Sequence, residues 1–180
     1  MIDTAQEEAA LWEQFRQGNQ QVLAILFERF YERLVLYGYK LTTDKTMAED
    51  CAQELFVDLL HKKQSPPVDF VRAYLFKSLR YKIIRASERL KTRQRHEQES
   101  EQQFLLQNLE TDSCDPAAEA RRQHLIQSVD SLSHRQREII YLRFYQNLSY
   151  DEIAQVMDLN YQTSRNLLHK AIRSLREKMG

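Results

Sequence analysis

Glycine and proline are almost missing from this 180-residue chain, at three of each. A sheet-rich fold needs turn residues at strand ends, so their scarcity beside 42% hydrophobic residues points to helices. Long apolar runs are missing too: nothing approaches the ~18–20 residues that span a bilayer. The opening "MIDTAQEEAALWEQF" is acidic and lacks the basic-then-apolar pattern of a secretory signal, so the reading is a soluble, cytoplasmic protein. Cysteine is scarce as well. Cys51 and Cys114 have no CxxC or CxxH partner, and the five histidines (61, 96, 124, 134, 169) are scattered. Two reduced structural thiols are expected, with no disulfide framework, metal site or cofactor. No nucleophile–base set or Gly-rich phosphate loop is present, which makes an enzyme the least favoured reading.

Net charge is zero, but by cancellation. Residues 1–60 carry 5 Lys/Arg against 11 Asp/Glu, and residues 61–95 carry 11 against 2. Residues 96–132 carry 2 against 8, and residues 133–180 carry 8 against 5. Blocks of +9 and +3, each preceded by an acidic one, suggest separate surfaces for nucleic acid and for other partners.

The hydrophobic pattern gives the order of elements. Residues 7–17 read as a short amphipathic helix, broken at Gly18-Asn19. Residues 20–41 are apolar almost all round (Val22, Leu23, Leu26, Phe27, Phe30, Leu34, Val35, Tyr37), as suits a central helix. Asp44 is placed to cap a helix running to about Lys63, with Met47, Cys51, Leu55, Phe56, Leu59 and Leu60 as its apolar face. After the proline-stiffened "QSPPVD", a basic and aromatic helix runs from Phe70 to about Lys91. Residues 92–115 are Gln- and Glu-rich with little periodicity, as in a linker, and Pro116 looks like a helix start. The fold class is therefore all-α, with two small helical domains joined by a flexible linker.

The C-terminal helices announce themselves by their caps. Ser133 with Gln136, and Ser149 with Glu152, form capping boxes, and Leu148 and Ile153 sit as a hydrophobic staple. A helix over residues 150–157 meets a corner at Asp158, and Asn160 can cap the next helix. On that last helix Leu167, Leu168, Ala171, Ile172 and Leu175 point inward. Tyr161, Gln162, Thr163, Arg165, Asn166, His169, Lys170 and Arg173 form the opposite side. Arg matches guanine and Gln or Asn matches adenine in the major groove, so this is a DNA-reading candidate. Three capped helices could equally be an inert bundle.

In the N-terminal half, "AEDCAQELFVDLL" (48–60) carries Asp50, Gln53, Glu54, Val57, Asp58 and His61 opposite its apolar face. The following "FVRAYLFKSLRYKIIR" (70–85) sets Arg72, Lys77, Arg80, Lys82 and Arg85 around Tyr74, Phe76 and Tyr81, with Arg89 and Lys91 beyond. Cations attract phosphate and an aromatic among them can stack on an unpaired base, although at least one of the three rings is expected in the core. With the "LSHRQREI" and "LSYDEIA" segments, these stretches resemble the RNA polymerase sigma factors of the extracytoplasmic-function type. Residues 7–91 resemble the sigma-2 domain and 117–178 the sigma-4 domain, with 92–116 as an acidic linker.

The resemblance implies a factor that binds core RNA polymerase and directs it to promoter DNA. Asp50, Gln53, Glu54 and Phe56 match the family motif, and the face of Asp50, Gln53, Glu54, Val57 and Asp58 would dock on the polymerase, with Phe56 buried behind it. Arg72, Tyr74, Lys77, Arg80, Tyr81, Lys82 and Arg85, with the "QSPPVD" loop, would hold the minus-ten element as single strand. Tyr161, Gln162, Thr163, Arg165, Asn166, His169 and Lys170 would read the minus-thirty-five element as duplex. An anti-sigma factor is a further implied partner. The chain departs from the family pattern at Tyr81 (often Asn), Tyr74 (often Trp), Asp158 (usually Gly), Ser164 (usually Val) and Leu167 (commonly Arg). A linker of 25 residues averages about 25–30 Å end to end. Stretched to at most about 80 Å, it could cover the ~55 Å between two elements 16–17 base pairs apart. Alternatives are a LuxR-type helix-turn-helix regulator, though no βα receiver pattern precedes the tail, and a helical adaptor that binds only proteins.

Overall fold

A helix that is apolar on nearly every side has to be wrapped by others. The computed structural model describes residues 4–62, 65–93 and 127–179, and every regular element among them is helical. Helix α2, Gln21–Thr42, holds the centre with Leu26, Phe30, Leu34 and Tyr37 fully buried. Around it pack α1 (Thr4–Arg16), α3 (Lys45–His61) and α4 (Val71–Arg93). The break between α1 and α2 falls at Gly18, whose φ of +99° is natural only to glycine. Helix α2 ends on a left-handed Thr43, and Asp44 then caps α3 by accepting from the Met47 amide at 3.0 Å. At Gly38 helix α2 comes close to α3 and α4: a Cβ there would lie 3.0 Å from both Ala48 Cβ and Ile83 Cδ1.

The inward face of α3 is Cys51, Ala52, Leu55, Phe56 and Leu59. Leu60, expected inward, is 45% exposed, because one residue past Leu59 turns it about 100° around the helix, beyond the buried stripe. The loop before α4 is tied down by α1. Trp12 Nε1 donates to the Pro66 carbonyl at 3.0 Å, and Arg16 Nε donates to the Ser65 carbonyl at 3.1 Å.

Beyond a helical stretch at residues 127–130 come α5 (His134–Ile140), α6 (Tyr150–Met157) and α7 (Tyr161–Met179). Both capping boxes form, and the staple residues Leu148 and Ile153 are fully buried. Helix α5 leaves through a widened turn over residues 141–145. There the Gln146 amide donates to the Tyr141 carbonyl five residues back, and Asn147 turns left-handed to aim the chain into α6. Asp158 adopts the left-handed corner expected of it (φ 53°, ψ 50°), and the Thr163 amide donates to Asn160 Oδ1 at 2.7 Å. Ser149→Ala should lower stability by about 1 kcal/mol. Urea midpoints of the two chains check this, and an unchanged midpoint would show that the cap contributes nothing.

The expected linker and the helix start at Pro116 lie outside the described residues, except that α4 continues through Arg93. The two groups of helices do not stand apart. Helix α4 lies against α6, which the charge pattern alone did not anticipate.

Candidate nucleic-acid and polymerase interfaces

The outward face of α3 forms as its spacing requires. Asp50, Gln53, Glu54, Val57, Asp58 and His61 are exposed, while Phe56 is buried. Sequence reasoning missed that α2 extends this face. Phe27, 38% exposed, stacks on Tyr31 at 4.5 Å and meets the Phe56 edge at 5.0 Å, and Gln53 Nε2 donates to the Tyr31 hydroxyl. The signal was there: on a helix apolar all round, some large side chain must reach the rim. With Val57 at 49% exposure, the result is an acidic surface with an aromatic and aliphatic centre, a composition suited to docking another protein.

Helix α4 borders this face. Lys82 Nζ sits 2.6 Å from Asp58 Oδ2 and 3.3 Å from Glu54 Oε2, linking the basic helix to the acidic one. Of the three aromatics, Phe76 is core at 0% exposure, as expected of at least one. Tyr74 is half-buried on Trp12 with its hydroxyl accepting from Lys62 Nζ, and Tyr81 is 42% exposed. Arg85 is exposed, whereas Arg72, Lys77 and Arg80 are drawn into contacts with the C-terminal helices.

Those contacts form a polar seam that the sequence did not reveal. Glu138 on α5 is 2% exposed and accepts from the Tyr37 hydroxyl at 2.7 Å and from Arg80 Nε at 2.8 Å. Burial, followed by the Glu138 charge and hydrogen bond, pushes the Tyr37 phenol well above its ordinary range. For Arg80 burial acts downward, but the Glu138 carboxylate outweighs it and holds the guanidinium pKa above its usual value. Arg72 Nε stands 3.1 Å from Glu152 Oε1 and 3.4 Å from Glu8 Oε2. Burial raises the Glu8 carboxyl against the lowering effect of Arg72, Arg33 and Arg29. Arg33 donates to the Gln146 side chain at 2.8 Å, and Gln146 donates to the Tyr141 hydroxyl at 2.9 Å. Tyr141 lies parallel to Tyr37, and burial pushes its phenol up to about 12.

At the outer edge of the seam, Lys77 Nζ reaches Asp158 Oδ1 at 2.6 Å and the Tyr81 hydroxyl donates to Asp158 Oδ2 at 2.7 Å. Partial burial would raise the Asp158 carboxyl. The bonds from Lys77 and Tyr81, with the Lys77 and Arg80 charges, prevail and hold it below the usual carboxylate range.

Helix α7 keeps its reading side at the surface, with only the Tyr161 ring packed edge-on against Tyr150 at 5.7 Å. Tyr161, Gln162, Thr163, Arg165, Asn166, His169, Lys170 and Arg173 are all exposed, while Leu168 and Ala171 are buried and Leu167, Ile172 and Leu175 partly so. Ser164 is fully buried, and its hydroxyl donates to the Asn160 carbonyl at 3.1 Å. A hydroxyl placed on an inward face is thereby satisfied within the helix.

Comparison with known proteins gives two family matches. "Sigma-70 region 2" matches residues 26–95, and "Sigma-70, region 4" matches residues 129–177. The chain is 24% identical over 176 residues to the ECF RNA polymerase sigma factor SigK of Mycobacterium ulcerans, covering 93% of this chain and 90% of that one. Among solved structures it resembles CnrH in complex with the cytosolic domain of CnrY (TM-score 0.62, 21% identity, covering 94% and 95%). It also resembles RpoE of Bartonella quintana in complex with the anti-sigma factor NepR (TM-score 0.60, 19% identity, covering 87% and 95%). The structural likenesses establish the helical fold that these chains share.

Proposed function

This chain belongs to the sigma-70 family, as an alternative sigma factor of the extracytoplasmic-function type that directs promoter-specific transcription initiation by core RNA polymerase, and from that premise we propose how its helices divide the work. Residues 7–91 form the sigma-2 domain and 117–178 the sigma-4 domain, tied by the acidic linker 92–116. The α3 face of Asp50, Gln53, Glu54, Val57 and Asp58 docks on core polymerase, and Phe27 with Tyr31 widens it. Helix α4 holds the minus-ten element as melted strand: Arg72, Lys77, Arg80, Lys82 and Arg85 meet phosphates, and Tyr74 and Tyr81 offer rings to bases. Extruding a base from duplex costs a few kcal/mol, so a rigidly anchored loop beside a cationic helix is apt equipment. The α1-tethered segment after Ser65 supplies such a loop.

One observation supports this division above all. The side of α7 that could read bases lies at the surface and is presented by the Asp158 corner and the Asn160 cap. We assign Tyr161, Gln162, Thr163, Arg165, Asn166, His169 and Lys170 to the minus-thirty-five duplex. Arg165→Ala should cost about 1–3 kcal/mol of promoter binding and relax specificity at one position. Transcription from a set of singly substituted minus-thirty-five elements checks this, and a uniform loss on every promoter would contradict a base-reading role.

The family is a non-catalytic one, and we leave all bond-making to the polymerase. No helix among the described residues is long and apolar enough to cross a membrane, and we place the protein in the cytoplasm with the polymerase. An anti-sigma factor is a further partner we infer, supported by the structural relative solved with one. The LuxR-type and adaptor readings give way because the N-terminal half matches sigma-70 region 2.

A further inference from the structure

Three of the five cations assigned to the melted strand, Arg72, Lys77 and Arg80, are already occupied by carboxylates of the C-terminal helices, while Lys82 pairs within the N-terminal group and Arg85 stays exposed. Along α4, Arg72 meets Glu152, Lys77 meets Asp158, Arg80 meets Glu138 and the Tyr81 hydroxyl meets Asp158, at 2.6 to 3.1 Å. The four positions span about 13 Å of helix, and the three carboxylates come from α5, the first turn of α6 and the corner after it. Anionic oxygens are thus spaced along the helix where backbone phosphates would have to bind. The other two working surfaces are uncovered: Asp50, Gln53, Glu54, Val57 and Asp58 are exposed on α3, and Arg165 and its neighbours are exposed on α7.

We propose that Glu138, Glu152 and Asp158 stand in for the nucleic-acid strand and hold the free chain in a closed, self-inhibited form, in which the minus-ten face is masked while the polymerase and duplex faces stay open. The inference rests on the assignment of α4 to the melted strand. Its outer clasp joins Tyr81 and Lys77 to Asp158. Tyr81 and Asp158 both depart from the family pattern, and each is the other's partner across the seam.

The latch is built to open. Lys77 and Asp158 are 37% and 42% exposed, so their attraction is screened by salt. The inner carboxylates of Glu138 and Glu152 are 1% and 4% exposed, and separating the helices returns both members of each pair to water. The desolvation cost of the pair is thereby recovered, which offsets much of the lost attraction. Masking lowers apparent affinity by the fraction of molecules that are open. Polymerase can engage the uncovered α3 face before the strand-binding face is exposed.

The test uses the full chain carrying Asp158→Asn with Glu152→Gln. Asparagine tolerates the left-handed corner and glutamine can keep the capping box, so the fold is retained. The comparison chain, Asp151→Asn with Glu177→Gln, loses the same charge at exposed positions outside the seam. Binding of a fluorescent oligo(dT) is followed by anisotropy and the radius of gyration by small-angle X-ray scattering. The latch predicts that only the seam variant expands, and that it binds single strand about tenfold tighter than wild type, as a tenfold rise in the open fraction requires. Unchanged affinity would overturn the proposal. So would a gain without expansion, or an equal gain in the comparison chain, since either would reflect lost negative charge alone. A benzophenone side chain at the exposed position 85, in wild-type holoenzyme on a template with an unpaired bubble, tests the α4 assignment separately. Cross-linking to the bubble with no effect of the seam variant defeats the latch alone, and no cross-linking defeats the assignment itself.

Discussion

Asp50→Lys with Glu54→Lys should abolish co-purification with core polymerase, lowering affinity at least a hundredfold, or about 3 kcal/mol. Both side chains are exposed one turn apart on α3, and neither is part of the core. Reversal therefore places two cations where a partner has matched two anions, and like charges brought together at an interface cost several kcal/mol. Lysine at 54 also faces Lys82, which now bridges Glu54 and Asp58, so Asp50→Lys with Glu54→Gln serves as the variant without that internal repulsion. This second chain should keep the wild-type stability within about 0.5 kcal/mol, as surface substitutions generally do. If the reversed chain still co-purifies at wild-type yield, the acidic face is only a solvated helix surface.

The second large effect is on stability. Phe30→Ala should destabilise the chain by about 3–5 kcal/mol, the range for removing a buried aromatic. Phe30 is fully buried at the middle of α2, the helix on which α3 and α4 both pack. Its loss leaves a cavity under both working faces at once. Transcription should therefore fail at a temperature the wild type tolerates, through unfolding and not through lost contacts. Urea denaturation monitored at Trp12 measures the shift, and a change under 1 kcal/mol would mean that α2 is not the central support described.

Much of this architecture was readable from residue spacing. Asp44, Ser133, Ser149 and Asn160 each cap the helix they precede, since a short acceptor before a periodic run has few other uses. The α7 faces were legible for the same reason: helical phase sorts Leu168 and Ala171 from Arg165 and His169 without help from any partner. Leu60 was misplaced because an apolar residue at the edge of a stripe carries no sign of which way it turns.

The seam between the two groups of helices was illegible for a different reason. Glu138, Glu152 and Arg80 have the composition of a solvated surface, and only their tertiary partners make burial affordable. Charge blocks gave the right kinds of partner but could not say that the positive block would meet acids of the same chain. Asp158 is the instructive case. As a corner residue it was explained by local backbone preference, yet its carboxylate also closes the outer clasp on Lys77 and Tyr81.

The most direct test of the account is run-off transcription on fragmented genomic DNA with purified core polymerase, with and without this protein. The account predicts discrete new transcripts whose start sites share one pair of upstream elements 16–17 base pairs apart, and which vanish with the Asp50→Lys, Glu54→Lys chain. The same transcripts from core polymerase alone, or no new transcripts under conditions in which the protein binds polymerase, would contradict it.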